Sequence, residues 1–203
     1  ALTREVVYDD LLVRERKRLH RAVAAALGDA ASAEPSLLAH HLLAAGESER
    51  AVPVLLEAAR RAFRPSAPRE AVAAVARALE IGLPDADLAS ALELQAEAYH
   101  FFDSALSLKA ALEAAEAYRE RDDARGRSRM LRLASRSHWL RGEGAESQAL
   151  AREALDVLDG EPESMELGRA TAHLASLRMV DNASDEAITL AERAIAIGER
   201  TKD

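Results

Sequence analysis

The chain has 203 residues, enough for one large domain or two small ones, and 35 acidic against 27 basic side chains give it a formal net charge of -8. That balance disfavours nonspecific nucleic-acid binding by the chain as a whole. The absence of cysteine excludes disulfides and thiolate metal sites. No run approaches the ~18 uninterrupted apolar residues that a membrane-spanning helix needs. No signal peptide opens the sequence, so a cytoplasmic location is the expectation. Hydrophobic residues make up 49% but aromatics only 3%, so the apolar mass is Ala and Leu, set beside Glu and Arg. These are the strongest helix formers. Val and Ile never alternate over the length of a strand, and the chain reads as all-α.

Taken in order, "LTREVVYDDLL" predicts a short helix and "RERKRLHRAVAAAL" a longer one, with Leu19, Val23 and Leu27 at i, i+4 and i+8 forming an inward apolar stripe. Gly28 ends it, and "GDAASAEP" reads as a loop. "PSLLAHHLLAAG" is a short helix with Pro35 near its start and Gly46 at its end. Eight further helices follow in four pairs, at about 48–82, 85–121, 123–159 and 163–201, punctuated by Gly82, Gly142 and Gly160. The second helix of each pair ends alike, at Ala78, Ala117, Ala154 and Ala194, with steps of 39, 37 and 40 residues. "LAREALDV" and "LAERAIAI" match almost position for position. A period near 40 with two helices per unit predicts a helical solenoid, in which stacking buries a face that no pair can bury alone.

The first helices share a large-then-small pattern: Leu55, Ala58, Ala59 and Ala62; Leu131, Ala134, Ser135 and His138; Thr171, Leu174, Ala175 and Arg178. Such alternation lets helices approach closely. With the Gly142 turn and the closing Ala, these units resemble tetratricopeptide repeats, though they are longer than the usual ~34 residues and only one turn within a pair has its Gly. The second pair fits two registers, closing on Ala115 or Ala117. The resemblance implies a right-handed α-α superhelix of helical hairpins.

A second resemblance rests on "REVVYDDLLVRERKRLHRAVAAAL", "LLAHHLLAAGESERAVPVLLEAARRA" and "APREAVAAVARALEI". Together they are similar to the middle of large ATP-binding LuxR-family transcriptional regulators, among the signal-transduction ATPases with numerous domains. The close match covers about residues 4–81. It implies that residues 1–46 are the end of a winged-helix element with linker helices, and that 47–203 are the repeat region. In such proteins an ATPase module precedes these elements and a DNA-reading helix-turn-helix follows them. Related ATPase-linked proteins, some with cyclase domains, carry the same segment. No G-x-x-x-x-G-K-[ST] loop is present, and nothing after residue 160 resembles a DNA-reading motif. The expectation is therefore a piece of a longer chain with no cofactor of its own, ATP belonging to the ATPase module. Its expected partners are a protein or small effector and the parent's ATPase and DNA-binding modules. No membrane and no direct nucleic-acid contact is expected.

Candidate sites are few. His40 and His41 are adjacent, so they point about 100° apart, and neither has a His, Asp or Glu four residues away. They read as one packed and one surface histidine rather than a metal pair. Glu70, Glu80, Glu93 and Glu97 read as solvated faces. No serine stands in a nucleophile elbow, and no enzyme signature is found. The basic run Arg14, Arg18 and Arg21 reads as a charged outer face, with contact to the ATPase module or to phosphate as alternatives. In tetratricopeptide-like units the first helices line the concave side, and the groove offsets fall on Arg60 and Phe63; Gln95, Tyr99 and Phe102; Arg129, Arg132, Arg136 and Trp139; and Ser176 and Met179. Arginines at such positions can hold a carboxylate or phosphate, and aromatic faces can stack on a ligand. The alternative is that these residues fill gaps between pairs, with Trp139 mostly buried. The leading expectation is a non-catalytic effector-sensing module, and its rival an assembly scaffold that docks another protein or copy.

Overall fold

The richness in Ala, Leu, Glu and Arg has its expected outcome. A computed structural model describes residues 8, 11–30, 34–63 and 67–201, and among them are ten α-helices and no strand. The helices are α1 (Val13–Gly28), α2 (Pro35–Ala45), α3 (Ser48–Phe63), α4 (Pro68–Ile81), α5 (Asp85–Tyr99), α6 (Ser104–Arg119), α7 (Ala124–Leu140), α8 (Gly144–Asp156), α9 (Met165–Val180) and α10 (Ser184–Arg200). The short helix expected at the start of the chain lies outside the described residues. The chain divides into two compact units at Ala86/Asp87. The fold is an all-α helical-hairpin repeat of the tetratricopeptide type.

Local signals set the helix ends. Asp103 Oδ1 accepts from Ala105 N at 3.1 Å and Leu106 N at 3.0 Å, Asp123 Oδ1 from Gly126 N at 2.7 Å, and Ser164 Oγ from Leu167 N at 3.3 Å. These side chains cap α6, α7 and α9. One C-terminal turn recurs at four helix ends among the described residues. In it a backbone N–H reaches the carbonyl five residues back: Glu47 to Leu42, Asp123 to Tyr118, Glu143 to His138 and Ala183 to Arg178. Each has a left-handed residue just before it, at Gly46 (φ 81°), Asp122 (φ 55°), Gly142 (φ 78°) and Asn182 (φ 61°). This is the Schellman arrangement, in which Gly, Asn or Asp tolerates positive φ.

In the first unit, α1 packs on α2, α2 on α3 and α3 on α4. Ala39, Leu42, Ala45, Ala51, Val52, Leu55, Leu56, Ala58 and Ala59 are buried there, with Ala71, Val75 and Ala78 of α4. The inward stripe expected on α1 is corrected: Leu19 and Val23 are 48% and 41% exposed, and Ala24 is the buried residue. A small residue sits where α1 meets its neighbour, which turns the larger side chains outward.

In the second unit α6 packs on α7, α7 on α8, α8 on α9 and α9 on α10, with α9 also resting on α7. The large–small offsets Leu131, Ala134, Ser135 and Thr171, Leu174, Ala175 are all buried. Seams this narrow let side chains bond neighbouring backbones. Ser107 Oγ donates to the Ala96 carbonyl at 3.0 Å, Ser128 Oγ to Ala154 at 2.6 Å and Ser135 Oγ to Ser147 at 2.7 Å. Leu158, Leu167, Ala170 and Ile197 form one apolar cluster, and Ala151, Leu174 and Leu177 another.

Candidate functional site on the first-helix face

The arginine stripe of α7 organises one face of the second unit. Arg129, Arg132 and Arg136 follow one another at i, i+3 and i+7, along one side of the helix. Arg129 turns back to α5, where its Nε and Nη2 donate to Glu93 at 2.8 and 3.1 Å. Tyr118 donates its hydroxyl to the same carboxylate and lies under the Arg129 guanidinium at 5.7 Å. Arg132 turns forward to α9 and meets Glu166 at 2.7 Å, at a carboxylate that is itself buried. Burial and the Glu93 partnership push the Tyr118 hydroxyl's pKa up, and the Glu93 bond pushes the Arg129 guanidinium's up. Of the carboxylates expected on solvated faces, Glu70 and Glu80 are exposed, but Glu93 and Glu97 are not. Glu93 is held in its ion pair, and burial beside Glu93 raises the Glu97 pKa.

Arg136, unlike the other two, has no carboxylate within ion-pair distance among the described residues and is exposed. It lies on a pocket of about 240 Å³ at the C-terminal ends of the first helices. His100 contributes from just past α5, Arg136, Trp139 and Leu140 from α7, and His173, Ser176, Leu177 and Val180 from α9. Trp139 is 51% exposed, where the alternative reading has it mostly buried in a gap between pairs. His173 Nε2 lies 2.8 Å from Ser135 Oγ. That hydroxyl has one hydrogen, donated to the Ser147 carbonyl, so the imidazole is the donor. Burial, with the Arg132 and Arg136 charges, drives the His173 pKa down to about 4, and burial with Arg136 lowers that of His100. Both rings are neutral at pH 7. His100 Nδ1 is buried without a hydrogen-bond partner.

The other groove residues predicted from sequence scatter. The Tyr99 and Phe102 rings pack on each other at 5.6 Å, and Gln95 is half-buried on α5. Ser176 borders both the 240 Å³ pocket and a second groove, whereas Met179 borders the second alone. Arg60 and Phe63 belong to the first unit, where Arg60 is exposed and 3.9 Å from Glu57. His100 and His173 were not among the predicted groove residues. Nothing local marks them, because they come together only through helices 73 positions apart in sequence.

The second groove, of about 590 Å³, is open and bordered by α9 and α10 alone. Met165, Met179, Ile188 and Ile195 wall it, over small residues that include Gly168, Ala191 and Ala194. One repeat earlier, the corresponding Ala151 and Ala154 of α8 are fully buried, and Ala151 packs on Leu174 and Leu177 of α9.

In the first unit, His20 and His41 meet through their Nδ1 atoms at 2.8 Å, Tyr8 reaches His20 Nε2 at 2.8 Å, and the His40 ring packs edge-on to both histidines. An Nδ1–Nδ1 hydrogen bond needs one protonated and one bare nitrogen, and burial lowers both pKa values. His41 is partly buried and His40 exposed. Among the described residues no group of three or more His, Cys, Asp or Glu is placed to hold a metal ion. In the basic run, Arg14 and Arg18 are exposed and Arg21 pairs with Glu47. No helix of the described residues is long and apolar enough to cross a membrane.

No family model matches the chain, and no curated protein matches it. Solved structures do. The chain is similar to the MamA protein (TM-score 0.61, 12% identity, covering 92% of this chain and 93% of that one). It is similar to a Rap protein complexed with competence and sporulation factor (TM-score 0.62, 13% identity, 96% and 57%). It is also similar to a signal-transduction ATPase with numerous domains that carries a tetratricopeptide repeat sensor, from Pyrococcus horikoshii (TM-score 0.61, 17% identity, 96% and 35%). At these identities the likeness is one of fold.

Proposed function

We propose that this repeat is a non-catalytic sensor and interaction module of a multidomain, cytoplasmic transcriptional regulator, and that its first-helix face receives an effector or partner and signals to an ATPase switch elsewhere in that protein. The observation that carries the reading is the end of the α7 stripe. Two of its three arginines are neutralised by Glu93 and Glu166, while Arg136 is left beside an exposed Trp139 at the rim of a pocket. Internal packing accounts for the first two and not for the third. Likeness in fold to a repeat sensor of a signal-transduction ATPase supports this context, as does likeness to a repeat protein complexed with a factor. Binding would act by favouring one arrangement of the parent protein over another.

A thermal-shift screen against pooled organic acids, sugars, nucleotides and short peptides tests the reading, because a ligand of the folded state raises the melting temperature by mass action. A shift lost in folded Trp139→Ala and Arg136→Ala variants is the expected result. No shift in any pool would sink the sensor reading. The α9–α10 groove favours a second one, a scaffold that docks an amphipathic helix of a partner. Such a helix would sit as α9 sits against α8, which continues the interface between earlier pairs.

A further inference from the structure

The 240 Å³ pocket is selective in its chemistry, and this inference rests on the sensor reading of the same face. At neutral pH its only formal charge is the Arg136 guanidinium, since both lining histidines are neutral and no carboxylate borders it. A cation would meet Arg136 with nothing to offset the repulsion. A dianion would enter a partly apolar site with one compensating charge, and burying the surplus is costly. A single carboxylate fits: one guanidinium can hold it in a two-pronged bond. The His100 ring also lines the pocket. Of the remaining wall, Trp139, Leu140, Leu177 and Val180 are apolar, beside His173 and Ser176. The volume lies below the roughly 300–1,000 Å³ typical of drug-sized ligands, so it suits a small acid or one side chain.

We infer that this pocket binds a monocarboxylate with an apolar body, its carboxylate on Arg136 and its apolar part against Trp139, Leu177 and Val180. The carboxylate belongs either to a free small acid or to a peptide whose terminal or side-chain carboxylate adjoins an apolar residue. The neighbouring charges do not compete for it. Arg129 and Arg132 are already paired, and Glu97, one turn before His100 on α5, is not among the residues lining the pocket.

The test is isothermal titration of the 203-residue chain with 3-phenylpropionate and its neutral amide, and with an N-acetylated tripeptide ending in leucine, as acid and as amide. The acids should bind at least tenfold more tightly than the amides. Arg136→Gln should remove that preference and Trp139→Ala should weaken acid and amide alike, with both variants melting cooperatively. Tighter binding of phenylpropionate than of the peptide assigns the site to a free acid, and the reverse to a peptide. Equal binding of acid and amide, a preference that survives Arg136→Gln, or no binding of any carboxylate at millimolar concentration overturns the inference. If the carboxylates fail while another ligand's thermal shift is lost in Trp139→Ala, only the ligand class falls. If every probe and pool fails, the sensor reading falls with it.

Discussion

Acid should loosen the second unit through His173 before most carboxylates are protonated. The His173 pKa is about 4 in the fold against 6.5 unperturbed. Above pH 6.5 neither state carries the proton, so the ring contributes nothing pH-dependent. As the pH falls below 6.5 the unfolded chain binds the proton first, and stability drops until the folded pKa is reached. A tenfold difference in proton affinity corresponds to about 1.4 kcal/mol, so the full effect is about 3 kcal/mol. Part of the ring faces solvent, and screening reduces that to about 2 kcal/mol. The assay is urea denaturation of wild type and His173→Gln between pH 7.5 and 4.5. Gln fills much of the same space and can donate to Ser135, so the variant should lie within about 1 kcal/mol of wild type at pH 7. By pH 4.5, still above the folded pKa, the difference should have moved about 1.5 kcal/mol in the variant's favour. All other titrating groups are common to both proteins and cancel. Parallel stability curves would refute the buried neutral histidine.

Three further outcomes follow from particular contacts. A Cβ on Gly126 would lie 2.6 Å from Tyr118 Cγ and Cε1; Gly126→Ala should destabilise by about 1–3 kcal/mol despite its better helix propensity, as read from the urea midpoint. Glu93→Gln leaves the half-buried Arg129 without its counter-charge, and a loss of about 2 kcal/mol is expected in the same measurement, reduced when Arg129→Met is added. Ile188→Ser with Ile195→Ser should change stability by no more than about 0.5 kcal/mol per site, because these side chains are 57% and 62% exposed; sedimentation velocity should show less self-association at high concentration.

Much of the fold was legible because its determinants are local. Small residues at fixed offsets, acidic and Ser caps, and glycines at turns are all read within one or two helical turns. The clearest exceptions are also local but chemically disguised: Asp122 and Asn182 take the left-handed turn position that Gly142 holds, and neither looks like a helix stop in a stretch of charged residues. The α1 stripe misled because periodicity identifies an apolar side without saying whether a neighbour covers it. The site was half legible. Offsets on α7 singled out Arg129, Arg132, Arg136 and Trp139, but only their partners decide which is free. Glu93 lies 36 residues before Arg129 and Glu166 lies 34 after Arg132, separations at which a single sequence carries no pairing signal.

The buried serines and alanines have a mechanical consequence. Helices joined through Ser128 to Ala154 and Ser135 to Ser147 approach too closely to roll past one another by degrees. Turning either helix by one residue would drive a larger side chain into its neighbour's backbone. Deformation is left to the connections, where a few dihedrals absorb it. Each hairpin of the second unit should then move as a stiff plate pivoting at its ends, so a force applied at one edge would arrive at the other as rotation and not as strain dissipated within the helices.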